Sequence, residues 1–258
     1  MRVTVATYNI HKGFSHFNRR LVIHELRERL EGLDADLVFL QEVVGVHDRH
    51  AGRFTEWPRK PQHEYIAGER WGEIAYGKNA VHRDGHHGNA LLSRYPIIAQ
   101  ENEDISAHPF ESRGLLHCVV RTGGTGPELH CINVHLGLFE RGREWQVRAL
   151  CERIRATVPE DAPLIIAGDF NDWRHRANRT LVDKLGVVEV FEAVKGRPAR
   201  TFPSVLPMFR LDRIYARGLD VLDARVHCAF PAARISDHAA LAATFRTRPA
   251  GGARRASA

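Results

Sequence analysis

Apolar positions along this chain gather into short runs, and run after run ends on a cluster of polar residues. Over residues 2–8, Val3 and Val5 alternate with Thr4 and Ala6, which predicts a strand leading into Asn9, Ile10, His11, Lys12 and Gly13. Val22, Leu26 and Leu30 then recur at helical spacing, so a helix is expected over 19–31, with Asn18 as its N-cap and Gly32 at its end. A second apolar strand, 36–40, delivers Gln41 and Glu42. Strand-like pieces come next at 65–67, 74–80 and 87–95, the last closed by Pro96. Residues 115–121 and 129–136 flank the glycine-rich stretch 123–127 and predict an antiparallel hairpin whose second arm carries Asn133 and His135 on one face. A helix is expected over 140–158, with Trp145, Ala149, Glu152 and Ala156 marking its spacing, and another near 177–185. Residues 164–172, LIIAGDFND, place four apolar residues and Gly168 before two carboxylates and an amide, as a buried strand opening onto a turn does. Further strands are expected at 187–191, 211–215, 221–227 and 239–245. Strands outnumber helices and no repeat is present, which indicates an α+β architecture.

The polar run-ends carry the chemistry. Asp169 and Asn171 are two apart, so in extended chain both side chains point to one side and can address a phosphate or a metal-bound water. Asp169, Asn171 and Asp172 also suit a turn and the N-cap of a helix starting near Trp173. A calcium loop does not fit, because its glycine and terminal glutamate positions fall on Arg174 and Thr180. Taken singly, Asn9 reads as a turn residue, Glu42 as a surface carboxylate and His135 as a core histidine. Collected, Asn9, Glu42, His135, Asp169, Asn171, Asp212, Asp237 and His238 all stand at strand ends spread over the whole chain. No local explanation covers that set.

Composition changes this picture little. The 258 residues are 43% hydrophobic, enough for a sizeable core, and no linker divides them, so one domain is expected over 1–247 with a disordered basic tail at 248–258. Most of the +6 charge comes from Arg246, Arg248, Arg254 and Arg255; without them 33 basic residues face 31 acidic ones. The body is nearly neutral and argues only weakly for a polyanion partner. Cys118, Cys131, Cys151 and Cys228 form no CxxC pair and the N-terminus has no signal-peptide pattern, so a cytoplasmic protein with reduced thiols is expected. No apolar run is long enough to span a membrane. Among the 16 histidines, His82 and His86 stand four apart as a second metal pair or, more simply, as solvated loop residues.

The same run-ends carry a family resemblance. YNI at 8–10, QEV at 41–43, NVHL at 133–136, GDFN at 168–171, LDRIY at 211–215 and SDH at 236–238 match, in order, motifs of the endonuclease/exonuclease/phosphatase superfamily with the DNase I-like fold. The chain resembles that family over residues 3–246. The resemblance implies a four-layer α/β sandwich, two packed mixed β-sheets flanked by helices, with the site at one edge. It implies Mg²⁺-dependent hydrolysis of a phosphodiester by in-line attack of water, with Mn²⁺ as a substitute ion. Glu42 resembles the principal Mg²⁺ ligand, with Asn9 and Asp237 close to the ion, a sparse set that Mg²⁺ accepts because it keeps waters and substrate oxygens. Asp169 and Asn171 resemble the pair that orients water and holds a phosphate oxygen. Asp212 would hydrogen-bond to His238 and favour its imidazolium, while His135 would face the leaving or a non-bridging oxygen. The base is open between Asp169 and His238. His11, Lys12 and Gly13 depart from the well-known nuclease branches, and HGNALLSRYPI and TFPS…LDRIY look like a short bacterial branch, so nucleic acid, phospholipid and a small phosphodiester all stand as partners. A monomer is expected. A binding protein that keeps the fold without turnover is the reading outside enzymes.

One stretch bears on the partner. Residues 201–210, TFPSVLPMFR, enter the strand bearing Asp212 and so border the expected site, and Pro203 and Pro207 resist a helix or central strand there. Either Leu206, Met208 and Phe209 cap the sandwich core, or these apolar groups meet an anionic lipid surface while Arg197, Arg200 and Arg210 meet its phosphates, a peripheral membrane contact. Nucleic acid would call for a broad basic face that the body charge does not promise.

Overall fold

The computed structural model describes residues 2–15, 20–123, 127–228 and 235–247; Asn18, expected as an N-cap, residues 124–126 of the expected hairpin connection and residues 248–258, expected as a tail, lie outside them. Runs such as 37–40 and 164–167 are apolar at every position because their strands are buried on both faces. Chain order is β1 (Arg2–Asn9), α1 (Ile23–Gly32), β2 (Leu37–His47), α2 (Asp48–Arg53), α3 (Gln62–Ala67), β3 (Glu73–His82), β4 (Gly85–Ser93), β5 (Ile97–Asp104), β6 (Gly114–Val120) and β7 (Leu129–His135). It continues with α4 (Glu140–Thr157), β8 (Leu164–Asp169), α5 (Arg176–Leu185), β9 (Val188–Glu189), α6 (Val190–Lys195), β10 (Asp212–Arg217), β11 (Leu219–His227) and β12 (Ala240–Thr247).

These strands make two mixed six-stranded sheets, ordered β11-β12-β1-β2-β4-β3 and β5-β6-β7-β8-β10-β9. Each sheet holds one parallel pair, β1 with β2 and β7 with β8. Successive residues serve different layers, as strand periodicity requires. Val5, Leu37, Phe39, Ile165 and Ala167 fill the space between the sheets, Tyr8, Val38 and Leu40 meet Leu26, Leu30 and Ile66 of α1 and α3, and Leu164 and Ile166 meet Val147, Leu150 and Ile154 of α4. The result is the expected four-layer sandwich of two sheets flanked by helices. Near one end the inter-sheet layer turns polar. Gln41 Nε2 donates to Asn133 Oδ1 at 2.8 Å, and Asn133 Nδ2 donates to the Ala90 carbonyl at 2.8 Å, so buried amides tie the two sheets together beside the site.

Several local expectations fail for identifiable reasons. Tyr65–Ala67 close α3 rather than a strand, and Ile66 faces the core. Val190 and Phe191 begin α6, because the Glu189 carboxylate caps the Glu192 amide at 2.6 Å and Gly196 ends the helix in left-handed backbone; only Val188 and Glu189 remain as strand. The buried face of α4 is Val147, Leu150, Cys151 and Ile154, whereas Trp145 is half exposed and Glu152 and Ala156 are exposed. α1 starts at Ile23 without a side-chain cap. His82 and His86 make no common site: His86 Nδ1 meets the Tyr76 hydroxyl at 3.0 Å, and His82 lies beside His87.

Candidate active site

Parallel and antiparallel pairing brings the polar strand ends to one end of the sandwich. Asn9 stands opposite Gln41 in the β1–β2 pair, His135 opposite Asp169 in the β7–β8 pair, and Asp212 opposite Asp169 where antiparallel β10 begins. β12 runs antiparallel to β1, so residues 236–238 arrive beside Asn9, whose carbonyl accepts from Ser236 Oγ at 2.8 Å. Gly168 is required next to Asp169: its φ is +146°, and a Cβ there would lie 2.0 Å from the Val134 carbonyl oxygen.

The cleft that results measures about 370 Å³. Of the eight residues expected from the sequence, Asn9, Glu42, His135, Asp169, Asn171, Asp237 and His238 line it, and Asp212 stands behind His238, fully buried. His11, Lys12, Glu42 and Asn171 all line it in left-handed backbone, with φ of 46°, 55°, 56° and 47°. Such conformations cost about 1–3 kcal/mol each and persist where the surroundings over-determine them, which marks functional ground. Glu42 is set there by a break in β2–β4 register between Leu40 and Val43.

Asp169 is the hub. Its Oδ1 accepts from the Asn171 amide at 3.0 Å, its Oδ2 accepts from Asn9 Nδ2 at 3.1 Å, and the Nε2 atoms of His135 and His238 lie 3.6 and 3.7 Å from Oδ2. His238 Nδ1 is 2.8 Å from Asp212 Oδ2. Asn9 Nδ2 also reaches Glu42 Oε1 at 3.3 Å. The capping role applies to Asp172, whose carboxylate accepts from the Arg176 and Ala177 amides at 3.0 Å each and so starts α5.

Burial and charge sort these groups. Burial alone would push the His238 imidazolium down, but the Asp212 and Asp169 carboxylates and the Asp212 hydrogen bond outweigh it, and the ring is pushed up to about 10. His135 goes the other way: burial holds it well below the usual histidine range, and Arg113, His238, His87 and Lys12 add to that. Burial also raises the Asp169 carboxyl to about 6, against the lowering effect of His238. One histidine is thus kept charged, one neutral, and a carboxyl is poised near neutrality.

Oxygen donors suit a hard divalent cation here. Glu42 and Asp237 face the cleft, neither forms a salt bridge to lysine or arginine among the described residues, and Oδ1 of buried Asp212 has no hydrogen-bond partner. Asp169, Asp212 and His238 also bring three ligand atoms within 4.8 Å of one another, although His238 Nδ1 and Asp212 Oδ2 already engage each other. Sequence reasoning missed Lys12, His87, Arg113 and Trp173, which share the wall. Lys12 stood in a polar stretch already noted; His87, near the start of β4, and Arg113, ahead of β6, gave no signal.

A profile of the Endonuclease/Exonuclease/phosphatase family matches residues 6–238. The uncharacterized protein YbhP of Escherichia coli strain K12 is 46% identical over 242 residues, covering 93% of this chain and 94% of that one. The UPF0294 protein VV2535 of Vibrio vulnificus is 30% identical over 121 residues, 46% of this chain and 40% of its own. The endonuclease/exonuclease/phosphatase from Bacteroides vulgatus shares the fold with a TM-score of 0.74 at 16% identity, covering 96% of this chain and all of its own. Truncated Caenorhabditis elegans TDP2 does so with a TM-score of 0.70 at 19% identity, covering 95% and 97%.

Proposed function

The chain belongs to the endonuclease/exonuclease/phosphatase family, and from that premise we propose that it is a metal-dependent phosphodiesterase. The observation that carries this reading is the Asp169 hub, a buried carboxyl between a charged and a neutral histidine in a cleft rimmed by Lys12 and Arg113. Glu42 and Asp237, with the Asn9 amide, would hold a divalent cation such as Mg²⁺, which when bound supplies positive charge against the phosphoryl oxygens.

The protein's own groups divide the remaining work. Asp169, raised toward neutrality and fixed by Asn9 and Asn171, takes a proton from the attacking water. His238 is held protonated by Asp212, so it has no vacant nitrogen for that proton and instead meets developing negative charge or protonates the leaving oxygen. Neutral His135 donates a hydrogen bond to the phosphoryl group, and Lys12 and Arg113 meet its non-bridging oxygens.

Turnover of bis-p-nitrophenyl phosphate with Mg²⁺ or Mn²⁺ tests the reading. Asp169→Asn and His238→Ala are each expected to lose roughly 100-fold or more in rate, the scale of a positioned acid or base. Wild-type turnover by either variant, or no turnover by the wild type with any divalent ion, would overturn it, the latter in favour of a fold-retaining binding protein.

A further inference from the structure

The rim of the cleft carries apolar side chains that the fold leaves uncovered. Segment 201–210 is clasped to the strand-entry segment: the Ser204 amide donates to the Asp237 carbonyl at 2.7 Å and the Ala239 amide to the Thr201 carbonyl at 2.8 Å. Beyond those anchors Val205 and Leu206 are each 69% exposed, and Met208 is half exposed. Phe209 packs edge-on against Trp173, which itself lines the catalytic cleft, with ring centroids 4.9 Å apart. Elsewhere on the same rim, Leu138 is followed by Phe139, 72% exposed, and Phe110, 98% exposed, lines an adjoining cleft with both. Exposed apolar groups on segments that adjoin the cleft, through Trp173 on one side and Leu138 on the other, mark an interaction surface. Beside the 201–210 loop, Lys195, Arg197, Arg200 and Arg210 line a further cleft of about 510 Å³ that has no carboxylate in its wall. None of the four forms a salt bridge among the described residues.

Apolar tips flanked by cations match an anionic bilayer: the tips enter the headgroup and acyl boundary while guanidinium and ammonium groups meet lipid phosphates. Bases of single-stranded nucleic acid would stack on aromatic faces; Phe110 and Phe139 offer such faces elsewhere on the rim, but the tips next to the basic cleft, Val205, Leu206 and Met208, are aliphatic and do not. We infer that the chain docks on anionic phospholipid membranes through the 201–210 loop and its basic cleft, and that its substrate is a phospholipid phosphodiester presented at that surface. The substrate half of this inference rests on the phosphodiesterase reading. Water then adds to phosphorus with loss of one proton to the base, the bond from phosphorus to one ester oxygen breaks, and that oxygen leaves with a proton as an alcohol. No described helix is long and apolar enough to cross a membrane, and docking of this kind needs none.

Sedimentation of the full chain with phosphatidylcholine vesicles, with and without phosphatidylglycerol, tests this, alongside hydrolysis of vesicle lipid and of soluble bis-p-nitrophenyl phosphate. Wild type should sediment with phosphatidylglycerol vesicles. A Val205→Ser/Leu206→Ser/Met208→Ser variant should bind them and hydrolyse their lipid about tenfold less well, as expected when inserted apolar area is removed, with soluble turnover unchanged. Soluble turnover without vesicle binding, or equal vesicle binding by the variant, overturns the docking and leaves the phosphodiesterase reading intact. Vesicle binding without turnover of either the vesicle lipid or the soluble diester retires the phosphodiesterase reading and leaves the docking. Binding and cleavage of single-stranded DNA in place of vesicles overturns the inference in favour of a nuclease.

Discussion

Asp212 and His238 show how much one contact decides. With the carboxylate 2.8 Å away, the imidazolium is favoured far above its ordinary range. Asp212→Asn removes that charge, leaves Asp169 and Asp237 alone to oppose burial, and the His238 pKa falls. If the charged ring is needed, the alkaline limb of kcat/KM against pH should move to lower pH in the variant; an unmoved limb would remove His238⁺ from the chemistry. The residues of this hub were legible in the sequence because each sits at the end of an apolar run, where a strand must hand its last side chain to the sheet edge. Arg113, Trp173 and His87 were not, since they come from chain that joins the cleft only after both sheets have packed. The left-handed backbone of Glu42 and Lys12 was equally invisible, because neither residue type announces positive φ.

Among the elements, β8 depends on Gly168 for its junction with the site. Gly168→Ala should cost roughly 2 kcal/mol or more, through a backbone conformation that L side chains rarely adopt and a Cβ driven into the Val134 carbonyl. It should also displace Asp169 and lower activity. A thermal melt within error of the wild type would contradict that. Strands buried on both faces were easy to place from their continuous apolar runs. α3 and α6 were not, because Tyr65–Ala67 and Val190–Phe191 are apolar stretches too short to show a helical period, and the carboxylate cap from Glu189 outweighs the strand preference of Val190 and Phe191. For α4, Trp145 suggested a face that packing against β8 does not use, while Val147, Leu150, Cys151 and Ile154 carried the correct spacing.

For the whole molecule, the site lies where the ends of two sheets meet, so stability and function share the same seam. His63, His87 and His117 are each pushed down to about 4, above all by burial, from an ordinary value of 6.5. Between those values the unfolded chain binds protons that the folded one refuses, so the contribution is complete above pH 6.5 and is lost as pH falls toward 4. His63 stacks on Tyr76 with centroids 4.3 Å apart. His63→Phe keeps the stack without the titrating ring and should lose less melting temperature between about pH 7 and about pH 5 than the wild type does. Equal losses would exclude His63 from the acid sensitivity. The order of strands was beyond reach of the local pattern, because β12 pairs with β1 from the far end of the chain, with β11 outside it, and only the finished sheet shows it.

That these strand ends form a metal-dependent phosphodiesterase site is tested best by the rate of bis-p-nitrophenyl phosphate hydrolysis across a Mg²⁺ titration, with an EDTA control, for wild type and Glu42→Gln. Wild-type turnover should depend on Mg²⁺ and be abolished by EDTA. The Glu42→Gln protein should melt like the wild type yet need far more Mg²⁺ or fail to turn over, because neutralising a half-buried cleft carboxylate would remove the proposed cation ligand without removing core packing. Turnover that survives EDTA, or a Glu42→Gln variant with the wild-type Mg²⁺ dependence, would refute the metal-dependent site.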